Sequence, residues 1–387
     1  MKIRMGMVGG GQGAFIGAVH RMAANLDGQI ELVAGAFSSD SARSKASGKE
    51  LFLPEDRCYG SYAEMFAAEA KLPAEKRIEF VAIVTPNFLH FPIAKAALES
   101  GFHVLSDKPA TLDLAEAKEL ARIVEKTGLL YGLTHNYTGY PLVKEARDLV
   151  RSGKLGAIRK VVVEYPQGWL AQRLEDSGQK QADWRTDPKR AGISCCVGDI
   201  GTHAENLAEY VTGLRIESLC ADLSTFVEGR ALDDDANVLL RFEEKNGVRA
   251  KGLLHCSQIS IGEENGLNIR VYGTKGSLAW RQEEPNTLVL RRPDQPRALV
   301  RAGDGCLGAA AKAATRLPMG HPEAFLEAFA NLYRNFAALV RARKEGTTPS
   351  EHALDVPGIA DAVRGMAFIE TVVASSRSAD KWVSLPR

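Results

Sequence analysis

Asp107-Lys108-Pro109, Thr85-Pro86-Asn87-x-x-His90 and Gly198-Asp199-Ile200-Gly201-Thr202-His203 are the stretches whose residue types and spacing could carry chemistry. The first two each follow a short apolar run, where the loop of a buried strand begins. Asp199 and His203, four residues apart at the opening of a helical stretch, put a carboxylate and an imidazole on one helical face. That pair suits acid/base work on a small polar molecule, since an imidazole titrates near physiological pH. It also suits a structural ion pair, or two metal ligands, although no third Cys, His or Glu accompanies it at a familiar spacing. Taken singly, Asn87 could cap a helix and Lys108 could be a solvated loop residue.

A fourth stretch concerns phosphate. The first apolar run, 3–8, leads into Gly9-Gly10-Gly11-Gln12-Gly13-Ala14-Phe15-Ile16-Gly17. Gly9-x-Gly11-x-x-Ala14 fits the dinucleotide fingerprint in its G/A form, in which glycines allow a tight turn and a helix N-terminus offers amides to a pyrophosphate. The run 30–36 ends in Phe37-Ser38-Ser39-Asp40, where such folds carry an acidic residue for the adenosine ribose. Ser38, with Arg43 one helical turn on, removes the carboxylate that would repel a 2′-phosphate, so NADP is admissible beside NAD. Ser38, Ser39 and Asp40 could equally cap the next helix.

These residues need elements to hold them. Apolar runs at 3–8, 30–36, 80–84, 103–105 and 129–133 alternate with helical spacing at 14–25, 91–98 and 113–125. The pattern predicts a doubly wound parallel sheet in an α/β domain, residues 1–138. Beyond it, a helix at 142–152, a strand at 158–165, an irregular stretch at 167–191 and a helix at 200–211 precede strands at 216–227, 235–243, 248–260 and 266–272. Without helical crossovers these predict an open, mainly antiparallel sheet in an α+β domain, residues 139–387, closed by helices at 322–343 and 357–376.

Composition narrows the class further. The 387 residues carry 49 Lys+Arg against 48 Asp+Glu, a balance that gathers neither nucleic acid nor anionic lipid. No apolar run reaches the roughly 20 residues of a membrane span, and the first strand begins too early for a signal peptide. Six cysteines without CxxC spacing read as reduced thiols, so a cytoplasmic protein with no zinc site is expected.

The four stretches, in this order along essentially the whole chain, resemble the Gfo/Idh/MocA oxidoreductases, the glucose–fructose oxidoreductase and inositol dehydrogenase family. That family shows a glycine-rich first turn, a TPN-x-x-H element, an EKP element and a later D-x-G-x-H element. Three departures stand out. The first turn is about three residues longer, completed by Gly17-x-x-His20; Asp107 replaces the glutamate of EKP; and Ser38 replaces the acidic ribose contact.

The resemblance implies a Rossmann domain binding NAD, slightly favoured, or NADP through Gly9, Gly11, Gln12, Gly13, Ala14, Phe15, Ile16, Ser38, Ser39, Arg43, Thr85, Pro86, Asn87, His90, Asp107 and Lys108. It implies that Lys108, Asp199 and His203 surround a carbinol being oxidised. His203 takes the hydroxyl proton, Asp199 holds substrate or orients the imidazole, and Lys108 steadies the developing oxyanion. Asn136, Tyr137, Arg185 and His321 are further candidates for touching substrate, with salt bridging or helix capping the other reading of Arg185 and His321. Asp233-Asp234-Asp235 reads as a hairpin turn, and His255 as a satisfied sheet histidine. The expected function is oxidation of a secondary hydroxyl of a cyclic polyol or sugar, by a homo-oligomer (dimer or tetramer) joined through the open sheet. Alternatives are an NADPH-dependent keto-sugar reductase, a silent sugar or dinucleotide sensor, and a lyase that holds NAD structurally.

Overall fold

The computed structural model describes residues 1–386. The chain divides into two compact units, residues 1–136 with 329–363, and residues 137–328 with 364 onward. The break expected after residue 138 therefore falls between Asn136 and Tyr137. Residues 329–363, expected in the second domain, belong to the first. The reason is apolar: Phe329, Tyr333 and Phe336 are buried, and the Phe336 ring meets that of Phe80 at 5.4 Å.

The first unit is built on β1 (Ile3–Gly9), β2 (Ile30–Ala36), β3 (Phe80–Val84), β4 (His103–Ser106) and β5 (Tyr131–Leu133). They pair in parallel in the order β2-β1-β3-β4-β5. Every residue of β3 is buried, as a strand covered on both faces requires. Helices α1 (Phe15–Leu26), α2 (Ser41–Glu50), α3 (Tyr62–Glu69), α4 (His90–Glu99) and α5 (Leu114–Thr127) make the crossovers. Apolar spacing marks neither α2 nor α3, but α2 is the helix that Ser38, Ser39 and Asp40 are read as capping. Helix α2 (SARSKASGKE) has almost no apolar stripe and is started by Asp40, whose carboxylate accepts the Arg43 amide at 2.7 Å. The strand order reverses direction between β1 and β3, the place where such sheets bind ligands at their carboxyl edge.

The second unit opens with α6 (Pro141–Arg151) and β6 (Ile158–Pro166). Short helices α7 (Lys180–Arg185) and α8 (Pro188–Ala191) lie in the stretch expected to be irregular, and α9 (Thr202–Thr212) follows a wide π-helical turn, Val197–Gly201. Then come β7 (Ile216–Ser224), β8 (Asp235–Lys245), β9 (Val248–Ser257), β10 (Asn268–Gly273), β11 (Ser277–Arg281), β12 (Thr287–Arg291) and β13 (Ala298–Arg301). Helices α10 (Ala309–Ala313), α11 (Phe325–Glu345) and α12 (Ile359–Arg377) and the short β14 (Val383–Ser384) complete the chain. The sheet order is β13-β12-β11-β10-β6-β9-β8-β7-β14. It is mainly antiparallel, as expected, but β6 and β9 run parallel, since the chain between them is long enough to return to the same end. Strands β11 to β14 lie outside the sequence reading; β13 alternates too weakly, with three exposed residues of four. Along β8 buried residues alternate with exposed or half-exposed ones, leaving Leu239 on the outer face. Among the described residues no helix is long and apolar enough to cross a membrane.

Candidate active site

In the first unit the glycine turn joins β1 to α1. Gly9 has φ +82°, and a Cβ there would come within 2.7 Å of the Val84 carbonyl, so glycine alone fits. A Cβ on Gly11 would sit 2.7 Å from Ser47 Oγ, and one on Gly17 would overlap the Gly10 carbonyl and Cα. Gly17→Ala should therefore force the turn from the helix, costing about 1–3 kcal/mol of stability, with a matching fall in melting temperature and in NADH affinity. Titration of bound-NADH fluorescence checks this; an unchanged affinity removes the Gly10–Gly17 contact from the binding turn.

The turn fits a dinucleotide. Ala14 precedes α1 without a side-chain cap, and the first turn of α1 holds no acid, so its leading amides are left to an anion. By contrast, carboxylate or hydroxyl oxygens of Asp40, Ser61 and Asp113 cap α2, α3 and α5. Two side-chain atoms at the carboxyl edge of the same sheet, Thr85 Oγ1 and Asn136 Nδ2, are buried without a hydrogen-bond partner among the described residues. Such orphans cost free energy unless a ligand pairs them.

The remaining cofactor candidates are placed as follows. Gln12 donates its amide to Ser47 Oγ (3.1 Å) and its side chain to Glu50 Oε1 (2.5 Å). Phe15 is exposed and Ile16 half-buried. Ser38 Oγ accepts the Asp40 amide at 3.2 Å, while Ser39 and Arg43 are exposed. Pro86 and the buried Asn87 follow β3. His90 has both ring nitrogens against backbone carbonyls, Nδ1 at 2.6 Å from Pro109 and Nε2 at 2.8 Å from Thr85. It ties the end of β3 to the Asp107-Lys108-Pro109 loop, and burial pushes its pKa below the ordinary value despite the Pro109 carbonyl. The Lys108–Pro109 peptide is cis.

Asp107 sits at the end of β4. Its Oδ1 accepts the Lys108 amide (2.9 Å) and the Thr134 hydroxyl (2.8 Å), and its Oδ2 lies 3.7 Å from His20 Nε2. Burial alone would raise this carboxyl, but the His20 contact and the Lys108 and His90 charges hold it well below the usual range. His135 is pushed down to about 3 by burial and by the Lys108 charge, so it stays neutral beside the lysine. His20 and Thr134 had no place in the expected site.

In the second unit Asp199 lies in the wide turn before α9, and the α-helical face expected to carry it with His203 begins only at Thr202. Asp233 holds this turn, accepting the Ser194 hydroxyl (2.9 Å) and the Cys195 and Val197 amides (3.0 Å each). Asp234 caps the β7–β8 connection through the Phe226 and Val227 amides. The acidic triplet thus builds the hairpin connection as expected, and the site's turn besides. Asp199 Oδ2 accepts from Arg185 Nε (3.1 Å) and from Gln258 Nε2 (2.9 Å). Arg185 stacks on Trp184 at 4.2 Å and donates Nη1 to the Gln181 side chain at 2.6 Å. Gln258 is oriented by the Cys195 thiol, which donates to its Oε1 at 3.2 Å.

His203 is buried, and the Tyr137 ring meets it edge-to-face at 4.8 Å. Tyr137, Tyr165 and Asn265 form a closed circuit. Tyr165 donates to Asn265 Oδ1 (2.7 Å), Asn265 Nδ2 donates to Tyr137 (3.2 Å), and the Tyr137 hydroxyl bonds to that of Tyr165. Burial raises both phenols, so they stay neutral. Helix α9 is anchored by Glu209, which pairs with Arg364 and Arg215 at 2.6 Å. His321 stands apart in an exposed turn, its Nδ1 3.2 Å from the Pro318 carbonyl; the expected helix starts four residues later. His255 donates to Asn237 across β8 and β9, as a sheet histidine. Gln258, Tyr165 and Asn265 were missed: they belong to strand ends and loops and carry no spacing signal.

Comparison with known proteins now adds its weight. Residues 3–135 match the family model of the oxidoreductase family with NAD-binding Rossmann fold, and residues 143–279 match the GFO/IDH/MocA C-terminal domain. The chain belongs to the Gfo/Idh/MocA oxidoreductase family. Within it, the chain is similar to the uncharacterized oxidoreductase YfiI of Bacillus subtilis, 36% identical over 98% of this chain and 96% of the other. It is similar to an inositol dehydrogenase homolog of Azotobacter vinelandii solved with NADH and myo-inositol, at 36% identity, TM-score 0.90, and 99% and 98% of the two chains. It is similar to levoglucosan dehydrogenase of Pseudarthrobacter phenanthrenivorans, 26% identical over 74% and 75% of the chains. This Gfo/Idh/MocA protein is an NAD-binding oxidoreductase with an N-terminal Rossmann domain.

Proposed function

We propose that this enzyme oxidises a secondary hydroxyl of a neutral cyclic polyol or sugar, with inositols and pyranoses the leading class. The observation that carries the reading is the state of Asp199. Two donors, Arg185 Nε and Gln258 Nε2, converge on its Oδ2, an arrangement that supports a role in accepting and orienting rather than in taking a proton. His203 on the next helical turn is then the base, taking the substrate's hydroxyl proton on a ring nitrogen. Lys108 holds the oxygen as negative charge develops on it, and Asp199 fixes Arg185 and the substrate hydroxyls beside it. Gly9 to Ile16, Thr85 to Asn87 and Asp107 would hold NAD, which supplies the hydride acceptor. The myo-inositol and levoglucosan named for similar proteins are both cyclic polyhydroxy compounds, which supports the class. Absorbance at 340 nm with NAD or NADP and a panel of inositols, pyranoses and sugar phosphates tests the reading. Turnover confined to sugar phosphates, or none with any polyol, would overturn it.

Cofactor choice is tested separately at Ser38. Ser38→Asp should weaken NADP binding by about tenfold or more, since a carboxylate would face the 2′-phosphate, and should spare NAD. Parallel titrations with NADH and NADPH decide this. An unchanged NADPH affinity would show that Ser38 does no more than accept the Asp40 amide.

A further inference from the structure

The Tyr333 hydroxyl is buried in the apolar core of the first unit, beside Phe80, where a phenylalanine would fill the same space. A buried hydroxyl costs free energy unless paired, and its hydrogen-bond partner is His20 Nδ1 at 2.8 Å. His20 is itself fully buried, walled by the Phe329 ring at 4.9 Å, with its other nitrogen 3.7 Å from Asp107 Oδ2. Asp107 in turn accepts the Lys108 amide and the Thr134 hydroxyl. Arg21, on the same helix as His20, is turned to the Gly10 carbonyl at 2.6 Å. The three groups therefore lie in line: phenol, imidazole, carboxylate.

We propose that Tyr333 and His20 are positioning residues for Lys108: the Tyr333 hydroxyl donates to His20 Nδ1 and so fixes the tautomer whose Nε2–H faces the Asp107 carboxylate. Burial keeps the Tyr333 phenol neutral and able to donate. With Nδ1 occupied as an acceptor, the imidazole proton has only Nε2, where it meets the carboxylate charge. Asp107 is held by two hydrogen bonds on Oδ1 and faces that N–H across 3.7 Å on Oδ2, a charge–dipole contact that orients the carboxylate and with it the backbone that carries Lys108. The inference rests on Lys108 acting in catalysis, yet its tautomer part stands by itself.

The test uses the full-length protein with 15N-labelled histidine; eight histidines are few enough for His20 to be assigned by its loss in His20→Gln. Wild type should show His20 as the neutral Nε2–H tautomer, and Tyr333→Phe should convert it to a mixture. In Tyr333→Phe, kcat for the polyol that wild type oxidises should fall roughly tenfold, with NADH affinity and melting temperature nearly unchanged. His20→Gln, which keeps an N–H donor, should retain more turnover than His20→Ala. An imidazolium or Nδ1–H form in wild type, or a tautomer unmoved by Tyr333→Phe, overturns the proposal. So does turnover within twofold of wild type, or a fall in melting temperature and NADH affinity parallel to that in turnover, which would make Tyr333 an ordinary core residue. Lys108→Ala run alongside separates the two ideas. If it turns over normally, the lysine reading fails, while the spectra still decide the tautomer.

Discussion

Replacing Lys108 with alanine should lower kcat by about 100-fold or more while NADH affinity changes by less than about threefold, the size expected for loss of one positioned charge at an oxyanion. The structure concentrates that charge. His135 beside it is held neutral, its pKa pushed down to about 3, and the Asp107 carboxylate is occupied by the Lys108 amide, the Thr134 hydroxyl and the His20 edge. Lys108→Arg keeps the charge, but its planar fork does not reproduce a compact ammonium, so it should recover only part of the rate. Steady-state kinetics with a fluorescence titration of NADH check both variants. A loss smaller than about fivefold in Lys108→Ala would make the lysine a bystander.

Removing the His203 imidazole should be costlier still, about 1000-fold in kcat for His203→Ala, within the range for loss of a general base. The sign of the pH dependence follows from the role. Oxidation needs the imidazole free of its proton, so the wild-type rate should fall as pH drops through the histidine titration and level off above it. Asp199→Asn should cost less in kcat but raise KM, because Arg185 loses the charge that fixes it, while the amide oxygen left behind can accept from only part of the pair that Arg185 and Gln258 now make. The check is kcat/KM against pH in wild type and both variants, with a deuterium effect showing that hydride transfer limits the rate. If the wild-type pH limb survives in His203→Ala, the base is another group, and Lys108 is the first to test.

Much of this was legible in the chain itself. Buried parallel strands announce themselves as short apolar runs, and Gly9-x-Gly11-x-x-Ala14 gains its meaning, against a plain strand–helix corner, from the strand before it and the helix after it. Thr85-Pro86-Asn87, Asp107-Lys108-Pro109 and Asp199 to His203 could be found because each is a local string set by one strand end or one helix start. Of the polar helix α2 only the cap at Asp40 was legible, since its stability rests on that cap and on packing, not on an apolar stripe.

Tertiary structure decided the partners of each string within its own unit. Arg185 read as a hand for substrate or as a salt-bridge partner; in the fold it holds the Asp199 carboxylate, between stacked Trp184 and Gln181. Gln258 reaches Asp199 from 59 residues away, and Tyr333 reaches His20 across 313. No periodicity records such pairs. By itself the sequence determined the Rossmann and open-sheet architecture and the strings of acid, imidazole and ammonium proposed for the site. The fold determined that Asp199 sits in a π-helical turn rather than on α9, and that residues 329–363 return to the first unit. The reason is physical: burial pattern and turn chemistry are properties of neighbours along the chain, whereas hydrogen-bond partners of buried charges are chosen by what packing brings within about 3 Å.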